Sequence, residues 1–268
     1  MNAAHYCRCL AGIVWREALR FLNQRGRFVA ALVRPLVWLL IFATGFHFVL
    51  GVSIIPPYET YVPYEDYIAP GLVGMILLFQ GMQSSLSMVY DREMGSMRIL
   101  MVSPLPRWFL LLSKLLAGVA VSVLQAYVFL AIAYFWEIQP PPAGYLTVLP
   151  ALILSGMMLG ALGLLLSSAI RQLENFAGVM NFVIFPMFFA SSALYPLWRV
   201  KEASLTLYYV CWANPFTHAV ELIRFALYGK LDAISAAIVI AALASFMVLA
   251  VYGYDPGRGL ISRRGSVE

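Results

Sequence analysis

Six stretches of this sequence, near 29–51, 67–90, 109–136, 146–169, 176–194 and 233–254, are apolar over the length that a helix needs to cross a hydrocarbon core, roughly 20 residues. They are too long, and too continuously apolar, for the alternating strands of about 10 residues that build a membrane barrel. Charged residues make up only 12% of the 268, half the usual share of about 25% in soluble domains, and mean hydropathy is +0.82. The expected fold is therefore an all-α integral membrane protein with six transmembrane helices. The fifth stretch carries Pro186, where a kink is expected. Pro70, at the start of the second, suits a first helical turn, which has no use for the missing N–H.

One transmembrane unit is expected over 1–268: a cytoplasmic interfacial helix within 1–28, the six-span bundle over 29–254, and a cytoplasmic tail over 255–268. In the first part Leu10, Val14, Ala18 and Leu22 recur at helical spacing, Arg16, Glu17 and Arg20 point elsewhere, and Trp15 can anchor at the headgroups. The opening residues lack a cleavable signal pattern, so the first span is expected to stay as an anchor. Placing both termini in the cytoplasm puts 14 of the 18 Lys and Arg residues inside, Arg34 and Lys114 among them, and leaves Arg199, Lys201, Arg224 and Lys230 outside. That asymmetry is the positive-inside signature. It accounts for the net charge of +5 without a nucleic-acid partner. Cys7 and Cys9 then lie on one side and Cys211 on the other, so no disulfide joins them.

Catalytic patterns are missing. There is no GxxxxGK[ST] phosphate loop, no HExxH and no GxSxG. His5, His47 and His218 fall at different levels of the expected topology and cannot share a metal. No catalytic residue, metal site or bound cofactor is therefore expected on this chain.

Charge returns abruptly in "VYDREMGSMRILMVSPLPRW", residues 89–108. Asp91, Arg92 and Glu93 mark an exit into water, and Met94, Met97 and Met101 form one stripe of a short helix, with Leu100 beside them. Methionine is favoured on surfaces that repack against a partner. Gly95 permits close backbone approach, and Pro104 and Pro106 end the helix before Arg107. Inside the second span, Gln80, Gln83, Ser84 and Ser87 share a face, as polar residues lining protein or a water-filled path do. Asn181, Phe182, Phe185 and Phe189 mark the fifth span, and Gly156, Gly160 and Gly163 a packing face of the fourth. Between the last two spans, residues 195–232 read as short helices dipping into the outer leaflet, near 202–212 and 216–228, with Asn214 as N-cap and Pro215 behind it. His218, Glu221 and Arg224 lie at successive turns of the second, as candidates for an outer gate.

"DREMGSMRILMVSPLPRWFLLLSKLLAG" resembles the cytoplasmic loop of type-2 ATP-binding-cassette (ABC) export permeases. "IAPGL" at 68–72 and "NPFTHAVELIRFALYG" at 214–229 resemble two further segments of that family, in the same order. The resemblance implies a coupling helix between spans two and three, seated in a groove of a separate ATPase, with Asp91, Arg92, Glu93, Met94, Gly95, Met97, Arg98 and Met101 at or beside the contact. Arg98 stands where the family often has an acidic residue. It further implies two copies of this chain with two ATPase subunits that hold ATP and Mg, a bacterial inner-membrane location, export of an amphiphilic or lipid-linked substrate along spans two and five, and membrane lipids as surroundings. An ATP-independent secondary transporter or channel would need buried ionisable residues in mid-span or an internal repeat. A membrane-embedded enzyme would need clustered carboxylates or histidines. Neither pattern is evident.

Overall fold

In the computed structural model, which describes residues 3–23, 25–46, 56–58, 63–93, 106–136, 138–170 and 172–254, the described residues fold into helices with no strand. In chain order these are α1 (Ala3–Asn23), α2 (Arg25–Phe46), α3 (Tyr64–Glu93), α4 (Arg107–Tyr134), α5 (Gly144–Ala169), α6 (Leu173–Phe189), α7 (Leu197–Ala203), α8 (Leu205–Ala213), α9 (Pro215–Leu227) and α10 (Ala233–Gly253). Among the described residues, four helices are long and apolar enough to cross a membrane: α3, α4, α5 and α10. The first and fifth expected spans correspond to shorter apolar helical stretches, 31–41 within α2 and the 17 residues of α6.

Helix α3 is the centre of the bundle, packed against α2, α4, α5, α6 and α9. Residues 67–78 are buried throughout, with Leu72, Val73, Leu77 and Leu78 fully so, as is Met82 one turn on. The α3 backbone meets that of α5 directly. A Cβ placed on Gly81 would lie 2.9 Å from the Gly160 nitrogen and 3.1 Å from its Cα, and one on Gly163 would lie 2.8 Å from the Gly81 carbonyl oxygen. The backbones therefore touch, the arrangement small residues permit between membrane helices. The glycine face read on α5 is real at Gly160 and Gly163. Gly156 meets its neighbours at ordinary contact distance, from 3.4 Å outward.

Helix α1 lies against α4, with Tyr6 meeting the Phe109 ring edge-on at 5.0 Å. It extends the amphipathic helix expected at 10–22, and Trp15 is exposed. Three other expectations change. Pro70 is not in a first turn: α3 starts at Tyr64, because Glu65 and Asp66 suit a helix N-terminus as well as a loop. Pro70 therefore withholds an N–H from the Asp66 carbonyl, and the Tyr58 hydroxyl donates to that carbonyl at 3.4 Å instead. The helix expected near 202–212 is two helices, broken at Ser204, whose Oγ accepts from the Leu207 N–H as the N-cap of α8. Arg34, counted with the cytoplasmic charges, sits within α2 with its guanidinium 3.9 Å above the Phe79 ring. Phe79 is mid-way along α3, so Arg34 lies beside the middle of a candidate span and not with the flanking charges.

Substituting Gly81 with Val should force α3 and α5 apart. Overpacking of this kind costs about 1–3 kcal/mol, read as a lowered melting temperature of the purified protein in detergent. Gly178→Ala, where a Cβ meets nothing within 4 Å, should leave it unchanged. Equal melting of all three proteins would dismiss the glycine contact as a determinant of the fold.

Candidate functional site

Three regions hold the residues singled out in the sequence, and they follow α3 from its C-terminal end to its start. At the C-terminal end, Asp91 is ion-paired with Lys114 of α4 at 2.8 Å, both side chains mostly buried. This pair closes the neck of the segment between α3 and α4. Glu93 is exposed at the last position of α3. The Arg92 side chain and Met94, Gly95, Met97, Arg98 and Met101 lie outside the described residues.

In the middle of α3 the polar face divides. Gln80 and Gln83 line a cleft of about 110 Å³ against α2, shared with Ala31, Arg34, Pro35, Met75, Ile76 and Phe79. Ser84 and Ser87 are half-buried and return their hydroxyls to their own helix, Ser84 to the Gly81 carbonyl at 3.2 Å and Ser87 to the Ser84 carbonyl at 2.7 Å. Such back-bonds satisfy a hydroxyl without a partner helix. The α6 candidates stand apart from them. Asn181, Phe182, Phe185 and Phe189 are all exposed, Phe182 most of all at 78%. Phe185 and Phe189 stack at 6.3 Å, and Phe189 meets Trp38 of α2 edge-on at 5.8 Å. Among the described residues, no hydrogen bond or ring contact joins the glutamines of α3 to this aromatic face of α6.

At the start of α3, Arg224 of α9 is 1% exposed and pairs with Glu221 through Nη1. Its Nη2 donates to the Ser192 carbonyl at 2.9 Å and reaches the Tyr67 carbonyl at 3.5 Å, while the guanidinium lies 4.1 Å above the Tyr67 ring. Burial works against this charge, but the Glu221 carboxylate and the tyrosines around it outweigh burial, and the Arg224 pKa rises above its ordinary value. The group is permanently cationic.

Arg224 belongs to a larger arrangement that caps the C-terminal end of α6. Asn214 Nδ2 donates to the Met187 and Ala190 carbonyls at 2.7 Å each, and Ser191 Oγ to the Phe188 carbonyl at 2.6 Å. The Tyr195 hydroxyl donates to the Phe189 carbonyl. The Tyr67 hydroxyl shares the Ser192 carbonyl at 2.9 Å, and the Tyr64 hydroxyl takes the Leu194 carbonyl at 2.8 Å. A helix end leaves its last carbonyls without partners; here Asn214, Ser191 and Tyr195 supply them, and the α3 tyrosines with Arg224 meet the carbonyls of the turn beyond. Asn214 also accepts from the Phe216 N–H at 3.0 Å, so it is the N-cap expected from the Asn-Pro pair.

The third gate candidate, His218, faces away from Glu221 and Arg224. Its Nε2 meets the Trp212 carbonyl at 2.8 Å, and its Nδ1 meets Ser235 Oγ at 3.3 Å. Ser235 gives its hydroxyl hydrogen to Asp232 at 2.5 Å. The chain Asp232–Ser235–His218–Trp212 thus ties α9 to α8 and to the start of α10. Tyr64, Tyr67, Ser192, Asp232 and Ser235 were not singled out in the sequence, and Lys114 was named there only as a cytoplasmic charge. The i, i+3 spacing of Tyr64 and Tyr67 was the one available signal for a shared task. Among the described residues, no group of His, Cys, Asp and Glu is placed to hold a metal ion.

This geometry can be set beside known proteins. Residues 9–228 match the family pattern described as ABC-2 type transporter. A probable multidrug ABC transporter permease of Escherichia coli K12, YbhR, is 31% identical over 170 residues, which is 62% of this chain and 45% of that protein. This chain therefore aligns with about half of that relative's length. Putative transport permeases named ycf38 are 25% identical over 83% of the chain in Porphyra purpurea, covering 75% of the relative, and 28% identical over 74% in Cyanophora paradoxa, covering 66%. A match of this extent, on a bundle whose helices include four able to cross a membrane, makes this chain a multi-pass membrane protein that belongs to the ABC-2 type transporter family.

Proposed function

We propose that this chain is the membrane subunit of an ATP-driven exporter, working as two copies with two copies of a separate ATPase that holds ATP and Mg. The observation that carries the reading is the Asp91–Lys114 pair. It fastens the two long helices at the start of residues 91–103, the segment that the family resemblance assigns to the coupling helix. A push on that segment is then delivered to α3 and α4 together, and α3 packs on α2, α5, α6 and α9. In this reading there are six spans, both termini are cytoplasmic in a bacterial inner membrane, and α7 to α9 are re-entrant on the outer side.

The exposed face of α6 fits the second copy. An asparagine flanked by Phe182 and Phe185 is poorly suited to lipid, where its amide finds no partner, and well suited to a path shared between two permeases. The substrate is an amphiphile or a lipid-linked molecule moving between α3 and α6 of the two copies. Arg224 and Glu221 hold the outer end closed by fixing α9 to α3 and to the turn after α6.

Gentle detergent extraction should bring down a soluble protein with a phosphate loop; a well-behaved complex without one would end this reading. Glu93→Ala and Met97→Asp should each uncouple ATP hydrolysis from transport while leaving insertion intact, and unchanged transport in both would remove the coupling assignment. Arg224→Gln should lower stability by about 3–5 kcal/mol, because Glu221 is left without its cation, and should abolish transport. Exchanging the pair, Glu221→Arg with Arg224→Glu, should not restore either, since a glutamate at 224 cannot donate to the Ser192 carbonyl. Rescue by the exchange would reduce the role of Arg224 to simple charge pairing.

A further inference from the structure

The cleft between α2 and α3 holds an arginine in an unusual place. Arg34 lies over Phe79, and Phe79 is 15 residues from Tyr64 and 12 from Asp91, near the middle of a helix able to cross the membrane. A cation at that depth costs about 2.5–3.5 kcal/mol even by the most lenient scale, and such residues ordinarily pair with an acid or line a path. Among the described residues no carboxylate stands within ion-pair distance of Arg34. Its one described contact is the Phe79 ring at 3.9 Å. That contact lays the guanidinium against α3 at the cleft, while the residue as a whole stays exposed. A cation over a ring face recovers about 0.5–2 kcal/mol, which leaves the guanidinium's N–H donors in its own plane free for an acceptor.

The rest of the cleft is built on the same pattern. Gln80 and Gln83 add amide donors on successive turns of α3, and Met75, Ile76 and Phe79 add an apolar wall. A fork of charged donors, neutral amides beside it and an apolar lining next to both suit a charged oxygen head joined to a hydrocarbon tail. Cationic amphiphiles would meet the guanidinium as a like charge.

We infer that Arg34, with Gln80 and Gln83, forms a binding site for the anionic head of an amphiphile, a phosphate or carboxylate whose tail lies along Met75, Ile76 and Phe79. This deepens the proposed function, because it rests on reading α3 as a wall of the transport path. The head exchanges its water for the arginine fork, and the arginine gains a counter-charge that no described residue supplies. The site selects for negative charge within the membrane, a step that apolar packing alone cannot make.

The test needs no ATPase. Radiolabelled dodecyl phosphate is bound at pH 7 to the purified chain in nonionic detergent micelles. Saturable binding is expected, weakened at least about tenfold in Arg34→Gln, the loss of one or more charge-assisted hydrogen bonds. Arg34→Lys should keep part of it, and Gln83→Leu should weaken it less than Arg34→Gln does. Unlabelled dodecyl phosphate and laurate should displace the label, and dodecyltrimethylammonium should not. Inorganic phosphate that competes only at far higher concentration identifies an amphiphile site; phosphate that competes equally well identifies a free-anion site and overturns the amphiphile assignment. Equal binding in wild type and Arg34→Gln, with both melting alike, would overturn the site altogether. That failure beside a co-purifying ATPase would leave the exporter reading intact, and binding without any ATPase partner would do the reverse.

Discussion

A polar group inside a bilayer has no water to fall back on, and each one left unpaired costs several kcal/mol. The end of α6 is arranged around that rule. Its helix stops at Phe189, and the carbonyls that stopping exposes are met by Asn214, Ser191 and Tyr195, with Arg224, Tyr67 and Tyr64 taking those of the turn beyond. The same rule explains Tyr58, which donates to the carbonyl that Pro70 leaves open, and the serines that bond back to their own helices. Distant parts of the chain come together because the backbone of one element is finished by side chains of another.

What could be read from the sequence follows the same division. Apolar runs announce helices, since a span must satisfy its own backbone, and α3, α4, α5 and α10 lie where the runs put them. Asn214 before Pro215 announced a cap, and the spacing of Glu221 and Arg224 announced a pair. These are local signals, carried by residues within a turn of each other. Long-range pairings were silent. Nothing near Ser192 indicates that its carbonyl is shared by Tyr67 and Arg224, 125 and 32 residues away in the chain. Gly81 gave no sign that it would receive Gly160, because a lone glycine in a helix carries no address. Arg34 counts with the cytoplasmic charges in the sequence because charge there shows no depth.

The α6 candidates illustrate a different limit. Periodicity placed Phe182, Phe185 and Phe189 together, and they are exposed, as Asn181 is, on the outside of a single copy. A face that is wrong for lipid and unpartnered within one chain acquires meaning only at the level of an assembly. Helix α2 brings Trp38 to Phe188 and Phe189, so the helix that carries Arg34 also packs on α6.

Helix α3 carries Tyr67 near its first turn, Phe79 at its middle and Asp91 near its last, along 30 residues or about 45 Å. Its only proline is near the start, and the Asp66 carbonyl opposite is already bonded to Tyr58. A rod without a joint sets an order of events. If the Asp91 end is displaced, the ring beneath Arg34 and the ring beneath Arg224 are displaced at the same moment. In the proposed transport cycle, release of a bound head and loosening of the far closure would then be one event with a single barrier, not two steps in succession.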